Sequence, residues 1–286
     1  MRARTLLLTV LILAGCGSAP KPAEPPRLKT ALEAESDGAK RYGRGDYAVA
    51  VRRFDEAARI YASIDDTPGA ARNRLHLARS ELAQGHGEAA LLALELAERG
   101  GEFDVTRGAT LDTLLLKAQA QLALSRNDAA QQSLATAAGL CAGTCPQAAS
   151  LHLLQARAAL AGRRAQDALT HAEAALKLLQ DKDEATETGN AWRLIAAARL
   201  VAGDATGALP AARAALDIDR RLALPEKIAR DWLLIGDIHK RVGAGETAAN
   251  AYRRALDVAT AAGLADIAGI ATQALAEASG GKQTVH

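Results

Sequence analysis

The 286-residue sequence predicts an all-α fold, an α-solenoid built from helical hairpins. Three observations predict it. The chain is rich in Ala and Leu and poor in β-branched residues, which favours helix over strand. Aromatic residues make up only 3% of it, so its core must form by close approach of small-faced helices. One pattern of small and apolar residues also returns at a near-constant interval, the mark of stacked structural repeats.

The first copy of the pattern runs from Gly45 to Ala57. It reads as a turn followed by a helix with Ala50, Phe54 and Ala57 on one face, at i, i+4 and i+7. The triplet recurs as Ala90, Leu94, Ala97; Ala130, Leu134, Ala137; Ala168, Ala172, Ala175; Ala208, Ala212, Ala215; and Ala248, Tyr252, Ala255. Its first members are 40, 40, 38, 40 and 40 residues apart. A second amphipathic helix precedes each triplet from the second copy on. It is anchored by Leu75, Ala78, Leu82; Leu115, Ala118, Leu122; Leu153, Ala156, Leu160; Trp192, Ala196, Leu200; and Trp232, Ile235, Gly236, His239. A small residue stands twelve places before every first triplet alanine, at Gly38, Ala78, Ala118, Ala156, Ala196 and Gly236. Small residues at a helix crossing let the backbones approach while larger ones fill the flanks. Turn glycines fall at Gly45, Gly85, Gly203 and Gly243, with Gly162 one place early and Ser125 in the third copy.

This pattern resembles the tetratricopeptide repeat. The sixth copy carries the fullest match, in Trp232-Leu233-Leu234-Ile235-Gly236, then Gly243, Ala248, Tyr252 and Ala255. The resemblance covers about residues 31–262, with repeats near 31–64, 71–104, 111–144, 149–182, 189–222 and 229–262. A period of 40 instead of 34 implies a longer second helix or a longer link between units. A capping helix over 263–279 should cover the last apolar face, with Leu264, Ile267, Ile270 and Leu275 inward, and residues 281–286 form a tail. Pro210 falls early in the second helix of the fifth copy, which predicts a late start or a kink there.

The amino terminus carries a second signal. Arg2 and Arg4 precede an uncharged run from Leu6 to Ala14, the layout of a secretory signal peptide and too short to span a bilayer. The run ends in Leu13-Ala14-Gly15-Cys16, which resembles the lipobox of bacterial lipoproteins. That resemblance implies cleavage of residues 1–15 and lipid, palmitate included, attached to Cys16, the chain's one covalent cofactor. An ordinary signal peptide with a chance cysteine is the alternative. Two or three acyl chains would anchor the protein durably where a single one binds reversibly. Gly17 in place of Asp implies outer-membrane placement facing the periplasm. Pro20, Pro22, Pro25 and Pro26 make 16–30 an extended tether, leaving 31–280 for the solenoid.

Removing residues 1–15 takes away two arginines and no acid, which leaves 33 basic against 33 acidic residues. That balance, with so few aromatics, argues against nucleic acid as a partner. With Cys16 assigned to lipid, Cys141 and Cys145 remain. In an oxidising periplasm they are expected to pair, with free thiols or a metal or redox role as alternatives.

Catalytic chemistry finds no support. His76, His86, His152, His171, His239 and His286 show no metal-ligand spacing, and no serine lies in a nucleophile motif. Gly243-Ala244-Gly245 lacks the preceding strand and following Lys-Ser/Thr of a phosphate loop, and Arg44-Gly45-Asp46 sits on a repeat turn. In the family resembled, the first helix of each repeat lines a concave groove. Carried onto this chain, that implies Arg72, His76, Arg79, Arg157, Asn190, Arg230, Asp237 and Arg241, a modestly basic surface suited to an acidic peptide or a C-terminus. The expected role is a non-enzymatic membrane-anchored scaffold that binds protein partners of a cell-envelope complex, the alternative being a module that captures a peptide or glycan fragment.

Overall fold

The structure, a computed structural model, describes residues 25–99, 107–141 and 145–280. The signal segment, Cys16, most of the tether and the tail 281–286 lie outside the described residues. The regular elements described are thirteen helices, and the chain forms the expected all-α solenoid. They are α1 (Pro26–Gly43), α2 (Tyr47–Ser63), α3 (Thr67–Ala83), α4 (Gly87–Glu98), α5 (Arg107–Ala123), α6 (Asn127–Leu140), α7 (Ala148–Ala161), α8 (Ala165–Leu179), α9 (Ala185–Val201), α10 (Ala205–Arg221), α11 (Pro225–Arg241), α12 (Gly245–Ala261) and α13 (Ala265–Gly280). None is long and apolar enough to cross a membrane.

The turns repeat with the helices. After α1, α3, α5, α7, α9 and α11 the chain turns through one residue in the left-handed region: Gly45, Gly85, Ser125, Arg163, Gly203 and Gly243. Each such turn closes with the same bond, from the next N–H to the carbonyl five residues back, as in Asp46 N to Arg41 O at 3.0 Å and Arg164 N to Ala159 O at 2.8 Å. This six-to-one bond satisfies a carbonyl that the helix end leaves free. The turns at Asp65, Ala223 and Gly263, which link one hairpin to the next, close identically. Gly162 is not the left-handed residue of its turn; Arg163 takes that place.

Two boundaries differ from expectation. The first helix starts at Pro26, so the tether ends about five residues before Thr30. Proline suits a first helical position because its missing N–H would have no partner there and its φ is already helical. The fifth hairpin's second helix starts at Ala205, not late, with Asp204 accepting from Gly207 N at 2.8 Å. Pro210 therefore lies inside α10, beyond its first turn.

The small-residue register is buried throughout. The first triplet alanines, 50, 90, 130, 168, 208 and 248, all have no exposed surface. Where the middle triplet residue is aromatic, the crossing partner is glycine. A Cβ on Gly38 would stand 2.8 Å from Phe54 Cε1, and one on Gly236 would stand 2.3 Å from Tyr252 Cε1. Alanine occupies that place where the middle residue is Leu or Ala. In α13, Ile267 and Ala271 face inward, but Ile270 is 54% exposed because the inward stripe passes through 267, 268 and 271.

From α3 onward each odd-numbered helix also touches the next odd one, whereas no even pair meets to a comparable extent. The odd helices therefore form the inner wall of the curve and the even helices its outer wall.

Candidate partner-binding groove

The inner wall encloses an open cavity of about 680 Å³, with residues contributed by α3, α5, α7, α9 and α11. Arg79, Arg157, Asn190 and Arg230, four of the eight residues expected there, line it together. The floor is apolar, from Leu115, Leu116, Leu153, Leu154 and Leu194.

Most charged groups of the groove already have partners. Arg79 Nη2 lies 3.1 Å from Asp112 Oδ2, and Gln147 Nε2 donates to the other oxygen at 3.2 Å. Arg230 Nη2 lies 3.0 Å from Glu226 on the same helix. Asn190 accepts from Lys227 Nζ and from Arg193 Nη1, each at 3.0 Å, and donates to Glu187. Arg157 differs: no acid among the described residues pairs with it. It is open to water yet closed in by the groove walls. Its pKa is lowered, first by desolvation and then by the charge of Arg230. It nonetheless stays a cation, because an arginine is effectively always protonated.

The other four expected residues are not among the cavity's walls. Arg72 binds Glu35 with two bonds, at 2.9 and 3.1 Å, and lies over the Tyr61 ring. His76 stacks on Phe54 with ring centroids 5.0 Å apart, and its pKa is lowered, mainly by burial. Asp237 accepts the Tyr252 hydroxyl at 2.7 Å. Arg241 closes α11 on exposed surface. Arg72, His76 and Asp237 are engaged by partners from neighbouring helices, whereas Arg241 stays on the exposed end of α11.

Sequence reasoning missed Arg193, the best-connected residue of the groove. Its Nε lies 2.6 Å from Asp231 Oδ1, and its Nη2 pairs with Asp219. Both carboxylates are fully buried. Asp219 can sit there because Gly189 has no side chain: a Cβ would be 3.1 Å from its Oδ1. Desolvation pushes Asp231 up to about 7, against the pull of Arg193 and with the push of Asp219. The signal existed. In the repeat register, 193 is equivalent to Leu75, Leu115 and Leu153, so a charge there breaks an apolar column.

Cys141 and Cys145 form a disulfide with Cα atoms 5.4 Å apart. Cys141 is buried with Leu115 and Leu151, so the bridge ties the link between α6 and α7 to the core. Cys16 lies outside the described residues.

No protein-family model and no curated protein matches the chain. Solved structures do. The chain is similar to a chain of the anaphase-promoting complex hetero-tetramer Cut9–Hcn1, with a TM-score of 0.69 and 16% identity over 89% of its own length. It spans 44% of that larger chain. A signal-transduction ATPase with a tetratricopeptide repeat sensor from Pyrococcus horikoshii gives a TM-score of 0.66 at 12% identity, covering 89% of this chain and 41% of that one. A Podospora anserina kinesin-light-chain protein of tetratricopeptide-like repeats gives 0.53 at 16%, covering 70% and 99%. The fold is thus the tetratricopeptide-type α-solenoid.

Proposed function

We propose that this chain is a non-enzymatic scaffold, anchored by lipid on Cys16 to the periplasmic face of the outer membrane, whose groove binds a protein partner of a cell-envelope complex. One observation supports the binding reading above the rest: Arg157, a cation without an acid partner among the described residues, in a groove whose other charged groups are mostly engaged. An unpaired guanidinium above an apolar floor suits an acidic peptide segment with an aliphatic side chain, because the carboxylate supplies the missing charge-assisted bond. Solved relatives of the fold include a member of a hetero-tetramer and a repeat domain described as a sensor, which fits partner binding. The anchor reading rests on Arg2, Arg4 and Leu13-Ala14-Gly15-Cys16.

Two experiments test it. Arg157→Glu should abolish co-purification of the partner from detergent-solubilised envelopes while leaving the melting temperature within a few degrees; retention of the partner would overturn the groove assignment. Cys16→Ser should move the protein from the membrane to the soluble fraction and remove incorporation of labelled palmitate. Membrane retention without label would overturn the anchor. A small glycan co-purifying in place of a protein would favour the capture module.

A further inference from the structure

A second charged surface lies on the other side of α11. Arg230 faces the groove, and Trp232, about 200° further round the helix, faces away from it. Trp232, Ile235 and His239 form the floor of a furrow of about 360 Å³ whose walls are α10 and α12. Arg213, Asp217 and Arg220 stand on one wall; Thr247, Asn250 and Arg254 stand on the other.

The furrow is short of negative charge. Arg213 and Arg254 have no acid partner among the described residues. Arg220 reaches Asp217 only at 4.0 Å, with both side chains well exposed, a pair that contributes little. Arg220 and Arg254 lie over the Trp232 ring, 5.1 and 4.9 Å from its centroid. Cation–π contact holds the guanidinium planes and leaves their edges free to donate. Asn250 is oriented too: its Oδ1 accepts from Arg253 at 2.8 Å, so its amide N–H groups remain available.

We infer that this outer furrow is a second binding site, for an acidic peptide segment of a protein partner distinct from the groove's ligand. Arg213 and Arg254 would take carboxylates, the Asn250 amide a peptide carbonyl, and the part-buried Trp232 ring on the floor an apolar side chain. Charge complementarity requires an anion here. Asp217 and the polar pair Thr247 and Asn250 favour a peptide, with spaced charges and backbone carbonyls, over a dense phosphate. Two sites on opposite sides of one helix would let the carboxyl-terminal part of the solenoid bridge two proteins.

The chain's two tryptophans make the test direct. In a Trp192→Phe background the emission of Trp232 reports the furrow alone. Titration of the full folded domain with a synthetic peptide alternating Glu and Ser around a central Leu should change that emission saturably. The double variant Arg213→Glu/Arg254→Glu should weaken binding about tenfold or more, and Arg157→Glu should leave it unchanged. If charge reversal unfolds the domain by circular dichroism, Arg213→Gln/Arg254→Gln takes its place, with a smaller loss in the same direction. The inference is overturned if emission does not saturate, or if the furrow variants bind as the parent does. It is overturned too if Arg157→Glu abolishes the signal, or if inorganic phosphate or phosphatidylglycerol vesicles compete as well as the peptide. Loss of the groove partner in Arg157→Glu with an intact furrow titration would separate the two sites.

Discussion

The first and fifth hairpins meet their neighbours through the same three positions, filled with opposite charge. At the first junction Glu35 receives bonds from Tyr61 at 2.8 Å, Asn73 at 3.1 Å and Arg72 at 2.9 Å. At the fifth, Arg193 stands where Glu35 does, Asp219 where Tyr61 does and Asp231 where Asn73 does; the separations of 26 and 38 residues are identical. At the third and fourth junctions the same positions are apolar, filled by Leu115, Cys141 and Leu151 and by Leu153, Leu179 and Ala191. The solenoid thus has one junction geometry that accepts an acid with donors, a base with acids, or a greasy plug. What differs is the balance of donors to charges. Burial raises the Glu35 pKa, but Arg72, Asn73 and Tyr61 outweigh it and hold the group at about 2. At the fifth junction two buried carboxylates share one guanidinium, Asp219 Oδ1 and Asp231 Oδ2 lack protein partners, and Asp231 rises to about 7.

The largest way to break the comparison is Arg193→Ala. It strips two buried carboxylates of their common cation and should cost roughly 3–5 kcal/mol in urea unfolding at pH 8. The loss should be smaller at pH 5, where Asp231 holds a proton. An equal loss at both values would show that Asp231 is ionised throughout.

Glu35→Ala should cost about 1–3 kcal/mol by thermal or urea melts, because it leaves the fully buried Asn73 amide and the Tyr61 hydroxyl short of an acceptor. A loss well below that range would mean that water replaces the carboxylate.

Glycine at the aromatic crossings gives a graded test. Gly236→Ala would put a Cβ 2.3 Å from the Tyr252 ring and should destabilise by roughly 1–3 kcal/mol, since overpacking outweighs alanine's helix preference of about 1 kcal/mol. Gly38→Ala, with 2.8 Å to Phe54, should cost less. Reversal of that order in paired melting curves would contradict the register. Ala208→Leu, in a middle crossing with no exposed surface, should fall in the same range as Gly236→Ala.

The smallest effect is the slope of stability with pH. Glu35 has a folded pKa below its unfolded value, so its contribution is full above the ordinary carboxylate range and is lost as pH falls toward about 2. Asp231 has a folded pKa above its unfolded value, so its contribution declines as pH rises from about 4 to about 7. Asp231→Asn should flatten the curve in that second window and leave the acid limb unchanged, with Glu35→Gln doing the converse. Denaturation midpoints between pH 3 and pH 8 distinguish them.

Much of this fold was legible before any coordinates, because a solenoid's contacts are mostly local and repeat with the sequence. The all-α class, the buried alanine register and the turns at Gly45, Gly85, Ser125, Gly203 and Gly243 followed from period and residue size. Arg163 did not, since Gly162 offered the better turn residue and only the six-to-one bond shows which residue closes the helix. Of the groove, Arg79, Arg157, Asn190 and Arg230 were legible from their place on the helix. Arg72, His76 and Asp237 lie outside the cavity's walls, engaged by Glu35, Phe54 and Tyr252 of neighbouring helices, which their place on the helix could not show. The amino acid sequence by itself determined the repeating unit, since helix period, small-residue spacing and turn chemistry act within about 40 residues. Only the tertiary structure decided which cations are spent on acids, because the pairing of Arg193 with Asp219 and Asp231, and the lack of an acid partner for Arg157, Arg213 and Arg254 among the described residues, depend on how side chains from successive repeats meet.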